Sequence, residues 1–255
     1  MTVFSLVPKS ARTALAVPSK KVAILQSNYI PWKGTFDLIH DVDLFVFHDD
    51  LQYTKGDWRN RNRIKTPRGA EWLTIPVGTR EDRLICEVEI GDPSWAARHW
   101  RRIEQNYRTA PFFQRYVSFF EEIYLGRVWE NLSQLNQHLI RGIATELLGI
   151  STEFGDSREY RPEGRKLDRL VDLVRKTGAS LYVSGPAARS YIVPERFEEI
   201  GVQLAWKDYS GYPEYPQLFP PFTHQVSILD LLFQTGPEAP HYIWGWRREA
   251  APQSS

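Results

Sequence analysis

Cysteine is almost missing from this chain: Cys86 is the sole residue of its kind among 255, and methionine also occurs once. A single thiol excludes an intramolecular disulfide and a thiolate zinc cluster. Within Leu84–Ile90 it reads as a core-facing thiol on a half-exposed strand rather than as a nucleophile. Long apolar runs are missing too, and nothing approaches the roughly 20 residues that a membrane-spanning helix requires. Residues 1–20 carry Lys9, Arg12 and Lys20 without the apolar stretch of a signal peptide, so they are expected to form a flexible leader of a cytoplasmic protein. Charge of one sign is not in excess: 32 Lys and Arg stand against 31 Asp and Glu, for a net +1. No overall field therefore recruits nucleic acid or a membrane. Internal repeats and low-complexity tracts are absent.

What remains is an ordinary globular composition, 42% hydrophobic and 25% charged, with an unusual load of nine Trp and 12 Tyr. The densest chemistry lies between Val22 and Lys65. Val22–Leu25 is a short continuous apolar run, the pattern of a buried parallel strand. It feeds the loop Gln26–Gly34, then a short helix from Thr35 to His40 and a second buried strand, Leu44–Phe47. That strand runs into His48-Asp49-Asp50, then Gln52-Tyr53 and the cluster Trp58-Arg59-Asn60-Arg61-Asn62-Arg63 with Lys65. In open α/β sheets ligands sit beyond the carboxyl ends of the strands, so these two polar clusters are expected to converge on a site.

Further on, Trp72–Val77 and Leu84–Ile90 read as strands. The spacing then predicts a helical block over about 94–149, with Ser94 as an N-cap, a helix opened by Pro111 and a third from about Val128 to Leu148. Ser151–Phe154 and Ser180–Val183 return as strands around a helix from Arg165 to Thr177. Gln203–Trp206 and a final helix, Ile228–Gln234 capped by Ser227, complete the pattern. Strands alternating with helices predict an α/β protein with a three-layer, mostly parallel sheet and a helical subdomain in mid-chain. The expected organisation is one domain over residues 21–243 and a frayed tail over 244–255.

Gln26, Asn28, Tyr29 and Trp32 lie in a strand-to-helix loop, where backbone N–H groups and the helix dipole favour an anion and Gly34 permits close approach. The plainer alternative is a loop whose amides satisfy its own backbone. Asp49 and Asp50 are candidates for a general base or a Mg²⁺ ligand, and as neighbours in a strand they should point to opposite faces. Arg59, Arg61, Arg63 and Lys65 alternate, so an extended backbone puts them on one face, with Asn60 and Asn62 between them. Guanidinium forks there suit phosphate or carboxylate better than a merely solvated face explains. Ser184-Gly185-Pro186 is an anion-binding turn or simply a turn. The proline-rich loop 207–224 carries Asp208, Tyr209, Tyr212, Tyr215 and Gln217 with His224, rings for stacking and one acid–base group.

The motifs Gln26-x-Asn-Tyr-x-Pro-Trp-x-Gly34, Asp49-Asp50-x-Gln52-Tyr53, Trp58-Arg-Asn-Arg61 and Trp72-Leu-Thr-x-Pro76 resemble the WbqC-like family. Tyr182-x-Ser-Gly-Pro186, Tyr215-Pro-Gln217 and Ser227-Ile-Leu-Asp-Leu-Leu-Phe233 follow in the same order. The resemblance implies a transferase of bacterial surface-polysaccharide or natural-product biosynthesis, acting on an activated amino sugar. A nucleotide sugar or another phosphorylated metabolite is then the expected partner. The first strand–loop–helix unit is also similar to nucleotidyltransferases of the HIGH-motif (HUP) superfamily. Pro31 and Gly34 match, but Trp32 and Lys33 stand between them where that superfamily places histidines. This second likeness implies the fold and leaves ATP-dependent adenylyl transfer, or non-catalytic sugar-nucleotide binding, as alternatives.

Overall fold

The computed structural model describes residues 19–247. The expected leader and tail lie largely outside that range. Along the chain run β1 (Lys21–Leu25), α1 (Lys33–His40), β2 (Leu44–Phe47), β3 (Arg61–Thr66) and β4 (Gly69–Thr74). The helices α2 (Trp95–Tyr107), α3 (Phe113–Tyr124) and α4 (Leu132–Gly142) follow, then β5 (Glu153–Asp156), α5 (Ser157–Tyr160) and α6 (Lys166–Lys176). The last elements are β6 (Leu181–Ser184), α7 (Glu195–Glu198), β7 (Gln203–Trp206) and α8 (Ile228–Thr235).

Five strands pair in parallel in the order β5-β2-β1-β6-β7, and β3 and β4 form a separate antiparallel hairpin. The strands are apolar on both faces because both faces are covered. Ala23, Phe45, Phe47 and Val183 face α1, the α2–α4 block and α8. Val22, Ile24, Leu44, Val46 and Tyr182 face the other way, against Leu170, Val171, Leu173 and Val174 of α6 and Phe197 of α7. The expected three-layer α/β architecture with a helical mid-chain block is what the chain adopts. The first two crossovers, carrying α1 and α2–α4, cover one face, and the later pair cover the opposite face. The strand order therefore reverses between β1 and β6, the switch point where doubly wound sheets leave a crevice.

Some local expectations give way to longer-range pairing. Leu84–Ile90 is not a strand: it holds a single 3₁₀ turn at Ile85–Glu87, with isolated bridges Gln52↔Leu84 and Glu89↔Asn131. Its backbone instead caps other segments, the Cys86 N–H donating to the Asp49 carbonyl at 2.9 Å. The third helix of the block begins at Leu132 rather than near Val128, because the Asn131 side chain accepts the Gln134 N–H (3.0 Å) and fixes the first turn there. Ser94 occupies the cap position of α2, yet its hydroxyl donates to Asp92 (2.6 Å) and accepts from the Arg98 side chain, so no backbone N–H of the first turn is capped by it. Ser227 caps α8 as its sequence suggests, accepting the Leu229 N–H at 3.2 Å.

The hairpin is fastened to the loop after β1 by side-chain amides and by a buried relay. Asn62 donates to the carbonyls of Tyr29 (3.1 Å) and Ile30 (2.9 Å), and Asn60 donates to that of Ile75 (2.9 Å). The His99 Nε2 faces the Thr74 carbonyl at 3.2 Å, so that nitrogen carries the proton and Nδ1 accepts from the Tyr29 hydroxyl at 2.9 Å. Tyr29 in turn accepts from Tyr124 at 2.6 Å. Burial holds the His99 pKa down at about 4, opposed by the Thr74 hydrogen bond. Above pH 6.5 the ring is neutral whether the chain is folded or unfolded. Between that value and about 4 only the unfolded chain takes up the proton, so stability is lost as the pH falls across this window. The loss is expected to reach about 3 kcal/mol. Urea denaturation at pH 7 and pH 4 should show a drop smaller by that amount in His99→Gln, and equal drops in both proteins would refute the assignment.

Candidate functional site

The loop leaving β1 and the turn leaving β6 open on either side of the switch point, and one buried carboxylate sets the first of them. Asp49 is fully buried and takes the Ser27 N–H at 2.7 Å on one oxygen. Its other oxygen accepts from the Ser133 hydroxyl and, at 3.1 Å, from Gln137, both on α4. Asp50, one residue on, points to the opposite face of the sheet, where it meets the Ser157 hydroxyl and the Arg169 guanidinium. The two carboxylates are thus divided between the layers, and each is already met by protein donors. His48 lies 3.6 Å from Asp50, and burial chiefly, with Arg169 adding to it, keeps its pKa below the usual histidine value. Among the described residues, no group of three or more His, Cys, Asp and Glu side chains is placed to hold a metal ion.

One wall of the crevice begins at Arg59, which donates to the Gln26 side chain (2.6 Å) and pairs with Asp57 (2.5 Å). Asn28 is half-buried in the loop between. The opposite wall is aromatic. The Trp32 ring folds back over the first turn of α1, so tightly that a Cβ at Gly34 would collide with it. Tyr209 and Tyr212 meet Trp32 edge-on, with centroids 5.3 and 6.0 Å away. The Tyr209 hydroxyl lies 3.7 Å from where a Cβ of Gly185 would stand, which brings the β6 turn and the half-exposed Gly185 to this wall, with Ser184 buried behind it. His224 closes the ring, its centroid 6.3 Å from that of Tyr212. Burial and the nearby Lys33 ammonium lower its pKa, so the imidazole is neutral at pH 7. Lys33 is itself buried under Tyr212 and donates to the carbonyls of Pro213 (3.3 Å) and Tyr242 (3.1 Å). Burial brings its pKa down to about 8 against the pull of Asp37.

Other residues from the sequence motifs stand elsewhere. Gln52 and Tyr53 sit beside the 3₁₀ segment, where Tyr53 is buried under the Arg83 guanidinium. Lys65 is buried and gives its ammonium to the Pro221 carbonyl. Tyr215 and Gln217 turn inward to the fully buried Asp230, at 2.8 and 2.7 Å, and Tyr107 joins them at 2.9 Å. Asp208 is exposed and accepts the Ser210 N–H of its own loop. Arg61 and Arg63 lie on the outer face of the hairpin with Trp72, which pairs directly with Arg63. Three contributors to the region's geometry, Ser133, Gln137 and Arg169, escape sequence reading because they join Asp49 and Asp50 from more than 80 positions away.

Two open clefts lie away from the crevice. One, of about 640 Å³, occupies the amino-terminal edge of the sheet and is lined by Lys21, Asp41, Asp43 and Ser151–Glu153. The other, of about 580 Å³, runs along β6 and β7 under Trp244 and Arg247. Their charged groups already answer one another: Lys207 pairs with Asp37 and Asp41, and Asp43 accepts the Lys21 N–H. The crevice lies at the carboxyl edge of the strands, beside the switch point, and carries the exposed edge of the aromatic cluster, which makes it the stronger candidate. No helix among the described residues is long and apolar enough to cross a membrane.

Residues 26–242 match the family described as the WbqC-like protein family. The chain is also similar to an uncharacterized protein of Mycobacterium tuberculosis, Rv1507c, with 49% identity over 226 residues, or 88% of this chain and 97% of that one. No solved structure matches it. If Asp49 holds the crevice open, Asp49→Ala strands the buried Ser27 N–H and Ser133 hydroxyl, while Gln137 keeps Asp156 as an acceptor at 3.0 Å, and should cost about 3 kcal/mol in urea denaturation. A change below about 0.5 kcal/mol, the ordinary surface effect, would show the loop to be held by other contacts.

Proposed function

The chain belongs to the WbqC-like protein family, and on that premise we propose that it is a cytoplasmic transferase of surface-polysaccharide or natural-product biosynthesis. It moves an acyl or aminoacyl group onto the amine of an activated, phosphorylated amino sugar bound in the switch-point crevice. The observation that carries this reading is that the loop after β1 holds both the Arg59–Gln26 pair and Trp32, whose ring meets Tyr209 and Tyr212 with His224 beside them. The Arg59–Gln26 pair supplies a polar edge for the sugar's hydroxyl groups, and the rings supply apolar faces for its carbons. His224, neutral at pH 7, takes the proton of the sugar amine as its nitrogen attacks the donor carbonyl; the amide C–N bond forms, the bond from that carbonyl to the donor's leaving group breaks, and the leaving group departs with the proton that His224 returns. Asp49 acts here as a positioning residue, because its oxygens are already engaged with Ser27, Ser133 and Gln137. The Trp32 ring over the first turn of α1 disfavours ATP-dependent adenylyl transfer, which needs that turn open to phosphate.

Purified protein incubated with UDP-linked amino sugars and either acyl-CoA or aminoacyl donors should give an acylated sugar detectable by mass spectrometry. His224→Gln should lower kcat about 100-fold or more while leaving the melting temperature in place. Absence of product with every donor, together with no ligand-induced rise in melting temperature, would sink the reading.

A further inference from the structure

The outer face of the β3–β4 hairpin carries an arrangement that the crevice does not use. Trp58 and Trp72 are 45% and 38% exposed, and their rings lie 5.2 Å apart at an angle of 43°. Arg61 stacks on Trp72 at 4.3 Å, and Arg63 lies 5.3 Å from the same ring and 6.0 Å from Trp58. Two guanidinium groups are therefore held against one indole, although like charges repel. Among the described residues no salt bridge joins either of them to a carboxylate; Arg63 reaches only the Gln225 amide oxygen, at 2.9 Å, and Arg61 makes no side-chain hydrogen bond. Their Nε atoms are buried and lack acceptors, as does that of Arg59 next along. Stacking fixes each fork, leaving the Arg61 donors without acceptors and those of Arg63 with the Gln225 oxygen alone, and the anion that fits is one with several oxygens and more than one charge. The second indole, Trp58, offers a ring face for a planar group carried by the same ligand.

We propose that this face binds a nucleoside diphosphate, with the diphosphate across Arg61 and Arg63 and the base against Trp58. The platform borders the crevice: the Trp58 carbonyl accepts the Tyr29 N–H at 3.0 Å, and the chain passes from Gln225, on Arg63, directly to His224 on the crevice wall. A nucleotide-linked sugar seated on the platform would extend its sugar toward Trp32 and Tyr209. The inference rests on the transferase reading above and names the handle by which its sugar is activated. It also predicts a division of labour, with the hairpin recognising the nucleotide and the switch-point residues performing the transfer.

Isothermal titration of the full chain with UDP, uridine, inorganic pyrophosphate and an oligothymidylate tests the proposal. UDP should bind, and uridine and pyrophosphate should each bind at least about tenfold more weakly, because each offers half of the contacts. Arg61→Gln and Arg63→Gln should each weaken UDP about tenfold, and Trp58→Ala by a similar factor, while His224→Gln leaves UDP affinity unchanged. Arg61→Lys, which keeps the charge and loses the fork, should also weaken UDP and guards against a folding artefact. Pyrophosphate matching UDP would mean that phosphate alone is read, as in a lipid-linked sugar, and would overturn the nucleoside assignment. Tighter binding of the oligonucleotide, undiminished UDP binding by the variants, or no UDP binding at all would overturn it as well. UDP binding that depends on Arg61, in a protein that forms no product, would sink the transferase reading alone. Wild-type transfer rates in Arg61→Gln and Arg63→Gln would sink only the platform.

Discussion

The Asp49 carboxylate is the tie on which the rest of the site depends. It takes the Ser27 N–H at the exit of β1 and two side chains of α4, so the first strand, the second strand and the helical block are locked together at one buried point. A buried carboxylate without donors is costly, and the same group with three donors becomes a rigid joint. Its neighbour Asp50 does the corresponding work on the other face, joining the end of β2 to Ser157 and to Arg169 of α6. Successive residues at one strand end thus fasten both outer layers to the sheet.

From that joint the geometry of the crevice follows. With Ser27 held, the loop after β1 runs on to Tyr29, whose hydroxyl enters the relay with Tyr124 and His99 and whose carbonyl takes the Asn62 amide. The hairpin is positioned by the same contacts, and with it Arg59 on the crevice wall and Arg61 and Arg63 on the outer platform. The opposing wall is steadied from below by ion pairs at a fully buried Asp37, which receives Lys207 at 2.8 Å and Arg247 at 2.9 Å and accepts the Tyr212 hydroxyl at 2.5 Å. Both walls are rigid because their supports are buried polar networks with partners for each charge.

The α/β class and the parallel strands were legible in the sequence, because buried parallel strands are continuous apolar runs and their polar exits stand out beside them. The opposite orientation of Asp49 and Asp50 was legible too, from the alternation of a strand. Other features were not. The hairpin pairing of Arg63 with Trp72, and hence the stacked guanidiniums, depends on register set by the turn at Thr66–Gly69. The inward turn of Tyr215 and Gln217 depends on Asp230, a carboxylate in an apolar helix whose burial raises its pKa. The 3₁₀ turn at Ile85–Glu87 replaces a plausible strand because its backbone is consumed by Leu51 and Asp49. In each case local pattern yields to a partner far along the chain.

The central claim is that ligand binds at the switch-point edge of the sheet, between the β1 loop and the β6 turn. Hydrogen exchange monitored by mass spectrometry, with and without a saturating UDP-linked amino sugar, tests it most directly. The account predicts slowed exchange over residues 26–34, 58–63 and 184–186 and in the loop 207–212. Slowing confined to residues 41–43 and 149–153, around the cleft at the amino-terminal edge, would contradict it.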